Sequence, residues 1–287
     1  PGEEARNILQ AVPYLKEYNM KGSAETGRKV VVIGGGNAAV DAARTAVRLG
    51  AETVEIIYRR SREAMPAYAE EIEDALEEGV KLHCMSQPLE FLKNREGSVT
   101  AVRCLPMVAG EFDRSGRRRS RASEEKEQII EADQVIIAIG QRMDVNALFP
   151  GEKPELTAAG FMKADPVSGM TSMDGVFAGG DAAEGPSTVV RAIAAGERGA
   201  AGIDRSLTGE DHAFWRWEKE VDTAFDPDAD PLPYAREKMP VLEAERRIHS
   251  FDEVEQCWNE HSALRQAKRC LRCDYGKKIR VREESHV

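Results

Sequence analysis

Residues 29–62 read in a fixed order: strand, glycine turn, helix, strand, arginines. Lys29-Val30-Val31-Val32-Ile33 is a short apolar run of β-branched residues, followed at once by Gly34-Gly35-Gly36-Asn37-Ala38-Ala39. A helix-compatible run over residues 40–49 closes at Gly50, and Thr53-Val54-Glu55-Ile56-Ile57-Tyr58 reads as a second strand. A βαβ dinucleotide-binding unit needs this order. Gly34 permits the tight turn, Gly36 admits a pyrophosphate to the backbone, and the small Ala39 lets helix and strand pack closely. The free N–H groups and dipole at the helix start favour the phosphate charge.

A ligand with a free ribose 2′-hydroxyl calls for an acidic residue about 20 positions past the glycines. Here that neighbourhood holds Arg59, Arg60 and Arg62. Guanidinium groups suit a 2′-phosphate, with charged hydrogen bonds worth roughly 1.5–3 kcal/mol each. NADP(H) is therefore expected over NAD(H). The plain alternatives are a glycine turn that only packs a helix on a sheet, and a solvated basic edge.

The chain has 287 residues, enough for two domains or one large one, with 41% hydrophobic and 31% charged residues. A net charge of −10 argues against nonspecific nucleic-acid binding, which needs a cationic face. No apolar run approaches the roughly 20 residues of a membrane helix, and the polar, acidic residues 1–7 are not expected to act as a signal peptide. Five scattered cysteines are no secreted disulfide framework, so a reducing cytoplasm is the expected location. With Pro1 in first place, the chain reads as processed, or as a fragment or half of a split protein.

Residues 1–27 look like a connector with a short helix at about 5–18, broken by Gly22 and Gly27. Residues 68–78 form an amphipathic Glu-rich helix capped by Gly79, and Val80-Lys81-Leu82-His83-Cys84 reads as a strand. Residues 98–108 and 127–130 are expected as antiparallel strands. They flank the Arg-rich run 114–121, a solvated loop tip or a dock for an acidic partner. Residues 133–140 read as a buried strand ending in Gly140. Val176-Phe177-Ala178 reads as a short strand running into Gly179-Gly180-Asp181. A long small-residue helix is expected over 187–207, suited to packing on something flat, then an irregular stretch and a terminal helix over 251–273.

Gly179-Gly180-Asp181 after a strand, with a helix starting at Ser187-Thr188-Val189, forms a second constellation. A carboxylate there can accept hydrogen bonds from sugar or ribitol hydroxyls. The helix start suits the carbonyl edge of a flavin ring. A strand–turn–helix capped by Asp181 would look much the same.

Taken together, these motifs resemble the small-subunit (beta-chain) family of NADPH-dependent glutamate synthase, FAD/NAD(P) flavoprotein oxidoreductases. The matching residues begin with Val32-Ile33-Gly34-Gly35-Gly36-Asn37-Ala38-Ala39-Val40-Asp41-Ala42-Ala43-Arg44, Tyr58-Arg59-Arg60 and Met65-Pro66-Ala67. They continue with Ala138-Ile139-Gly140-Gln141, Gly179-Gly180-Asp181, and Gly185-Pro186-Ser187-Thr188-Val189-Val190 with Ala192-Ile193. Ser250-Phe251-Asp252-Glu253-Val254 and Ala267-Lys268-Arg269-Cys270-Leu271-Arg272-Cys273 resemble segments near the end of such chains.

The resemblance implies an α/β fold of the two-dinucleotide-binding-domain flavoprotein type, a Rossmann-like NAD(P)-binding domain inserted into a partial FAD-binding domain. Residues 1–27 would be connector and partial FAD domain, 28–140 the NAD(P)-binding domain, 141–210 the later FAD part, and 211–287 a tail. It implies that Gly34, Gly35, Gly36, Asn37, Ala38, Ala39 and Gly140 line the nucleotide site. Arg59 and Arg60 would meet the 2′-phosphate. Gly180 and Asp181 would bind the FAD ribitol region, with Thr188 and Val189 near the flavin ring. Members of that family begin with a cysteine-rich cluster-binding segment and a first glycine fingerprint for FAD, and neither stands in this sequence. The FAD site is therefore expected to be incomplete, its other half and the iron–sulfur clusters coming from a partner chain or segment.

Cys270 and Cys273 form one CxxC pair, where a four-cysteine cluster or zinc site needs two more ligands. Two thiols on a terminal helix, a half-site completed by a partner, and a redox dithiol all remain open. The histidines show no ligand spacing, no metal site is expected from this chain alone, and no catalytic side chain stands out. Phe214, Trp215 and Trp217 are expected to anchor the tail. The function expected is hydride transfer between NADP(H) and FAD with onward electron transfer to iron–sulfur partners. The alternatives are a nucleotide-binding or scaffold half that is inactive alone, and a thiol reductase using Cys270 and Cys273.

Overall fold

The computed structural model describes residues 1–112, 118–140, 143–213, 219–221, 234–269 and 279–281. The chain divides into two compact units, residues 1–139 with 237–260, and residues 140–236 with 261–287.

The first unit is built on a parallel sheet. Its strands are β1 (Ile8–Gln10), β2 (Lys29–Ile33), β3 (Thr53–Ile57), β4 (Lys81–His83) and β9 (Gln134–Ile137), in the order β1-β9-β2-β3-β4. Helices α1 (Ala11–Lys21), α2 (Asn37–Arg48) and α3 (Ala69–Glu77) make the crossovers. Parallel strands covered on both faces need apolar residues at every position, and β2 shows why. Val30 and Val32 pack with Val54, Ile56 and Ile136 into the core under the helices. Val31 and Ile33 point the other way, into a second core with Ile57, Val135, Phe91, Val102 and Ile130.

That second core lies under an antiparallel sheet of β5 (Ser86–Lys93), β6 (Val99–Phe112), β7 (Arg118–Ala122) and β8 (Gln128–Glu131). The expected pairing of the segments around 98–108 and 127–130 is present, with Val102 opposite Ile130. β5 was not read from sequence because Pro88 interrupts it. A register shift between Pro88 and Glu90 accommodates the missing donor.

Residues 1–27 are more than a connector. β1 pairs in parallel with β9, Ile8 opposite Val135. The helix also starts later than expected, at Ala11, so that Pro13 falls in the first turn, where its missing N–H costs nothing. Gly22, at φ 69°, ends it by donating to the Tyr18 carbonyl. Of the expected terminal helix over 251–273, the described residues form α8 (Glu260–Ala267). Residues ahead of it instead pair with 240–242, through Leu242 N–H to the Val254 carbonyl and Gln256 N–H to the Pro240 carbonyl. Phe251 stacks on Tyr18, ring centroids 4.1 Å apart. Arg247 of α7 (Ala244–Arg247) pairs with Glu77 at 2.5 Å.

In the second unit, α4 (Val145–Leu148) and α5 (Asp181–Glu184) are single turns, and α6 (Val189–Thr208) is the long helix expected from the small-residue run. Short strands β10 (Lys219–Val221) and β11 (Ile279–Val281) pair antiparallel. Val176-Phe177-Ala178 forms no extended strand, only a bridge from Phe177 to Met170. The small face of α6 packs inside this unit. A Cβ on Gly179 would lie 3.0 Å from the Ala195 methyl, and one on Gly180 3.4 Å from that of Ala192. Val189, Val190, Ile193 and Leu207 are exposed.

Candidate nucleotide-binding sites

The glycine turn stands at the carboxyl end of β2, where an open α/β sheet binds ligands. Its three glycines carry different constraints. Gly34 has φ 149°, and a Cβ there would lie 2.5 Å from the Ala138 carbonyl oxygen of the neighbouring strand end. Its N–H donates to the Ile57 carbonyl at 3.0 Å. At Gly35 a Cβ would lie 2.5 Å from the Tyr58 ring, so this is the close-packing position. Gly36 faces open space, with the Pro66 ring 3.9 Å away as the nearest neighbour. Gly36 also caps α2 with no side-chain hydrogen bond, which leaves Asn37 and Ala38 N–H groups without an intrahelical partner. Helix-to-sheet packing falls to Ala39, which is fully buried.

The floor and wall of this turn were missed in the sequence reading. The Tyr58 ring lies beneath Gly35, and its hydroxyl donates to the Ala64 carbonyl at 2.7 Å. Ala67 N–H donates to the Gly35 carbonyl at 3.1 Å, and Tyr68 N–H to Asn37 Oδ1 at 3.0 Å. The segment 61–68 is thus knitted to the glycine turn, and the Asn37 side chain is occupied in holding it. An aromatic residue closing β3 was the available signal.

Arg59 and Arg60 follow β3 directly. Arg59 is exposed and Arg60 half-buried. Among the described residues neither has an ion-pair partner, whereas Arg62 pairs with Glu73. Two guanidinium groups thus remain available at the carboxyl end of the sheet that carries the open glycine turn. Cys84 is half-buried just past β4, and burial, then the Glu63 carboxylate, push its thiol above the usual range. Gly140, at φ 118°, is exposed beyond β9.

The second constellation lies in the other unit. Gly180, at φ 57°, turns the chain into Asp181. Asp181 Oδ1 accepts from Ser187 N–H at 3.2 Å, and Thr188 caps α6 by accepting from Arg191 N–H at 3.4 Å. Asp181, Thr188 and Val189 are all exposed. One carboxylate oxygen closes the local turn, and the α6 N-terminus keeps its remaining donors.

Cys270, Cys273, Gln141, the arginines at 114 and 117, Phe214, Trp215 and Trp217 lie outside the described residues. Among the described residues no group of His, Cys, Asp or Glu could hold a metal ion, and no helix is long and apolar enough to cross a membrane.

The profile of the pyridine nucleotide-disulphide oxidoreductase family matches residues 1–196. The NADP(+)-dependent formate dehydrogenase subunit beta of Moorella thermoacetica is 38% identical over 277 residues, 93% of this chain and 38% of that protein. The NADPH-Fe(3+) oxidoreductase subunit beta of Geobacter sulfurreducens is 36% identical over 91% of this chain and 44% of its own length. The glutamate synthase [NADPH] small chain of Escherichia coli is 38% identical over 70% of this chain and 46% of its own. The chain therefore spans less than half the length of these curated relatives. Among solved structures, FprA of Mycobacterium tuberculosis in complex with NADPH superposes with a TM-score of 0.56 at 18% identity, over 73% of this chain and 60% of that one. The thioredoxin reductase of T. acidophilum gives 0.53 at 20% identity, over 72% and 60%. Both share the fold, that of the two-dinucleotide-binding-domain flavoproteins.

Proposed function

This chain belongs to the pyridine nucleotide-disulphide oxidoreductase family, and on that premise we propose that it is the NADPH-binding portion of an FAD-dependent oxidoreductase subunit that passes electrons to iron–sulfur partners. The observation that carries this reading is the pair Arg59 and Arg60, without ion-pair partners among the described residues, at the carboxyl end of the sheet where Gly36 faces open space. The names of the relatives, NADPH-dependent beta or small subunits, agree with it.

The residues fit the cofactor's chemistry. Gly36 leaves room for a pyrophosphate against the free N–H groups of Asn37 and Ala38, where the helix dipole adds a favourable partial charge. Gly34, Gly35 and Ala39 hold turn, strand and helix together. Arg59 and Arg60 supply planar donors for a 2′-phosphate. We assign Gly180, Asp181, Thr188 and Val189 to one side of a flavin site. There Asp181 keeps an exposed oxygen for a ribitol hydroxyl and the α6 N-terminus offers positive charge.

When bound, the two cofactors supply the hydride chemistry. The chain's own work is to bind and orient them, and no side-chain acid or base is required. By this assignment residues 28–140, joined by β1, α1 and 237–260, form the NADP(H) domain, and residues 141–210 contribute to the FAD domain. The remaining flavin contacts and the clusters belong to a partner chain or segment.

Titration of the chain with NADPH and NADH tests the reading. Arg59→Gln with Arg60→Gln should weaken NADPH by one to two orders of magnitude, given roughly 1.5–3 kcal/mol for a charge-assisted hydrogen bond, and leave NADH nearly unchanged. Equal effects on both nucleotides would overturn it.

A further inference from the structure

Among the described residues, Met85 is the one non-glycine residue with a positive φ, at 53°. Such a conformation in a long side chain persists only where its surroundings fix it, and both of its backbone polar groups are fixed. Its N–H donates to the Arg60 carbonyl at 2.9 Å. Its carbonyl accepts from Met107 N–H of β6 at 2.7 Å. The flanking bonds run the same way, with Tyr58 N–H to the His83 carbonyl at 2.9 Å and Ser86 N–H to the Tyr58 carbonyl at 3.0 Å. The backbone just past β3 is therefore tied through Arg60 to residues 83–86. At Met85 the chain leaves the parallel sheet and enters the antiparallel one.

From this geometry we infer that Met85 is a positioning residue for nucleotide specificity. Its left-handed turn ties the backbone of Arg60 to β6, and so sets where the Arg59 and Arg60 guanidiniums stand. The inference rests on the reading that these arginines meet a 2′-phosphate. A flexible strand end would still carry two positive charges, but it would have to order them on binding. The fixed strand end presents them already ordered. No contact between Met85 and the nucleotide is needed.

The test substitutes Met85 by residues that differ in their tolerance of positive φ. Met85→Asn keeps both backbone bonds in a residue type that adopts this conformation readily. Met85→Val keeps the backbone groups but disfavours the conformation strongly. The expected result is that Met85→Val lowers the ratio of NADPH to NADH affinity by about tenfold, the value of one charge-assisted hydrogen bond, while Met85→Asn leaves the ratio unchanged. In the Arg59→Gln/Arg60→Gln background, Met85→Val should have no further effect on the ratio. A Met85→Val protein that melts lower with an unaltered ratio would overturn the inference and leave a purely structural turn. Should that variant fail to fold, Met85→Ala is measured instead, with the same direction expected and the same unaltered ratio counting against it. An unchanged ratio in Arg59→Gln/Arg60→Gln itself would instead remove the reading beneath it, so the two failures are distinct.

Discussion

A methyl group added at Gly35 would lie 2.5 Å from the Tyr58 ring, while one added at Gly36 would meet nothing nearer than 3.9 Å. Neighbouring glycines of one turn should therefore fail in different ways. Gly35→Ala should cost about 1–3 kcal/mol of stability through overpacking, seen in chemical denaturation. Gly36→Ala should fold nearly as well but lose NADPH affinity, because its Cβ occupies the space left for phosphate. Away from the site, burial pushes the fully enclosed Cys104 thiol from its usual value of 9.0 up to about 11. Above the unfolded pKa the unfolded chain releases this proton and the folded one holds it, so folding is penalised as pH rises. The contribution is complete below pH 9 and is lost on the way to about pH 11. Cys104→Ala should flatten stability over that interval in denaturation curves measured at successive pH values.

At the scale of elements, the crossover helices are joined by charge. Glu78 caps the C-terminus of α3 with its side chain fully buried, an unfavourable end of the dipole for a carboxylate. Its Oε1 accepts from Arg44 and Arg48, each at 2.8 Å, and Arg247 stands 3.6 Å away. Arg44 reaches Glu71 and Asp74 as well. Removing one partner of a buried pair strands the other. Glu78→Gln should thus destabilise the first unit by about 3 kcal/mol in urea, more than loss of the exposed pair Lys21–Glu17, which is worth under about 1 kcal/mol. Such a network is illegible in sequence, where Arg44, Glu78 and Arg247 are only charged residues far apart. Of the elements it joins, α2 and α3 were legible by period and punctuation, as were β2 and β3 beside them, while α7 lies in a stretch read as irregular. β1 and β5 were not legible. β1 has three residues and gains its identity from pairing with β9, and β5 carries a proline that only its bulge excuses.

At the scale of the molecule, the same distinction separates what the sequence could and could not say about function. The glycine turn and its arginines were readable because a phosphate demands particular residue types at particular offsets. Tyr58 and Met85 were not, because their contribution depends on what the fold puts beside them. Gly140 at the boundary apart, the residues of the two nucleotide constellations fall in different compact units, and they share no residue. Substitutions that share no partner residues usually add, so each ligand should respond to its own residues. Asp181→Ala should lower FAD affinity and leave NADPH affinity unchanged. Arg59→Gln with Arg60→Gln should do the reverse. An anaerobic absorption spectrum taken before and after NADPH reads both. Bands of bound flavin that bleach on addition would show that the residues of this chain hold FAD productively. A chain that takes up NADPH in a binding assay yet carries no flavin band, even with added FAD, would assign the remaining flavin contacts to the larger part of its relatives' length that it does not span.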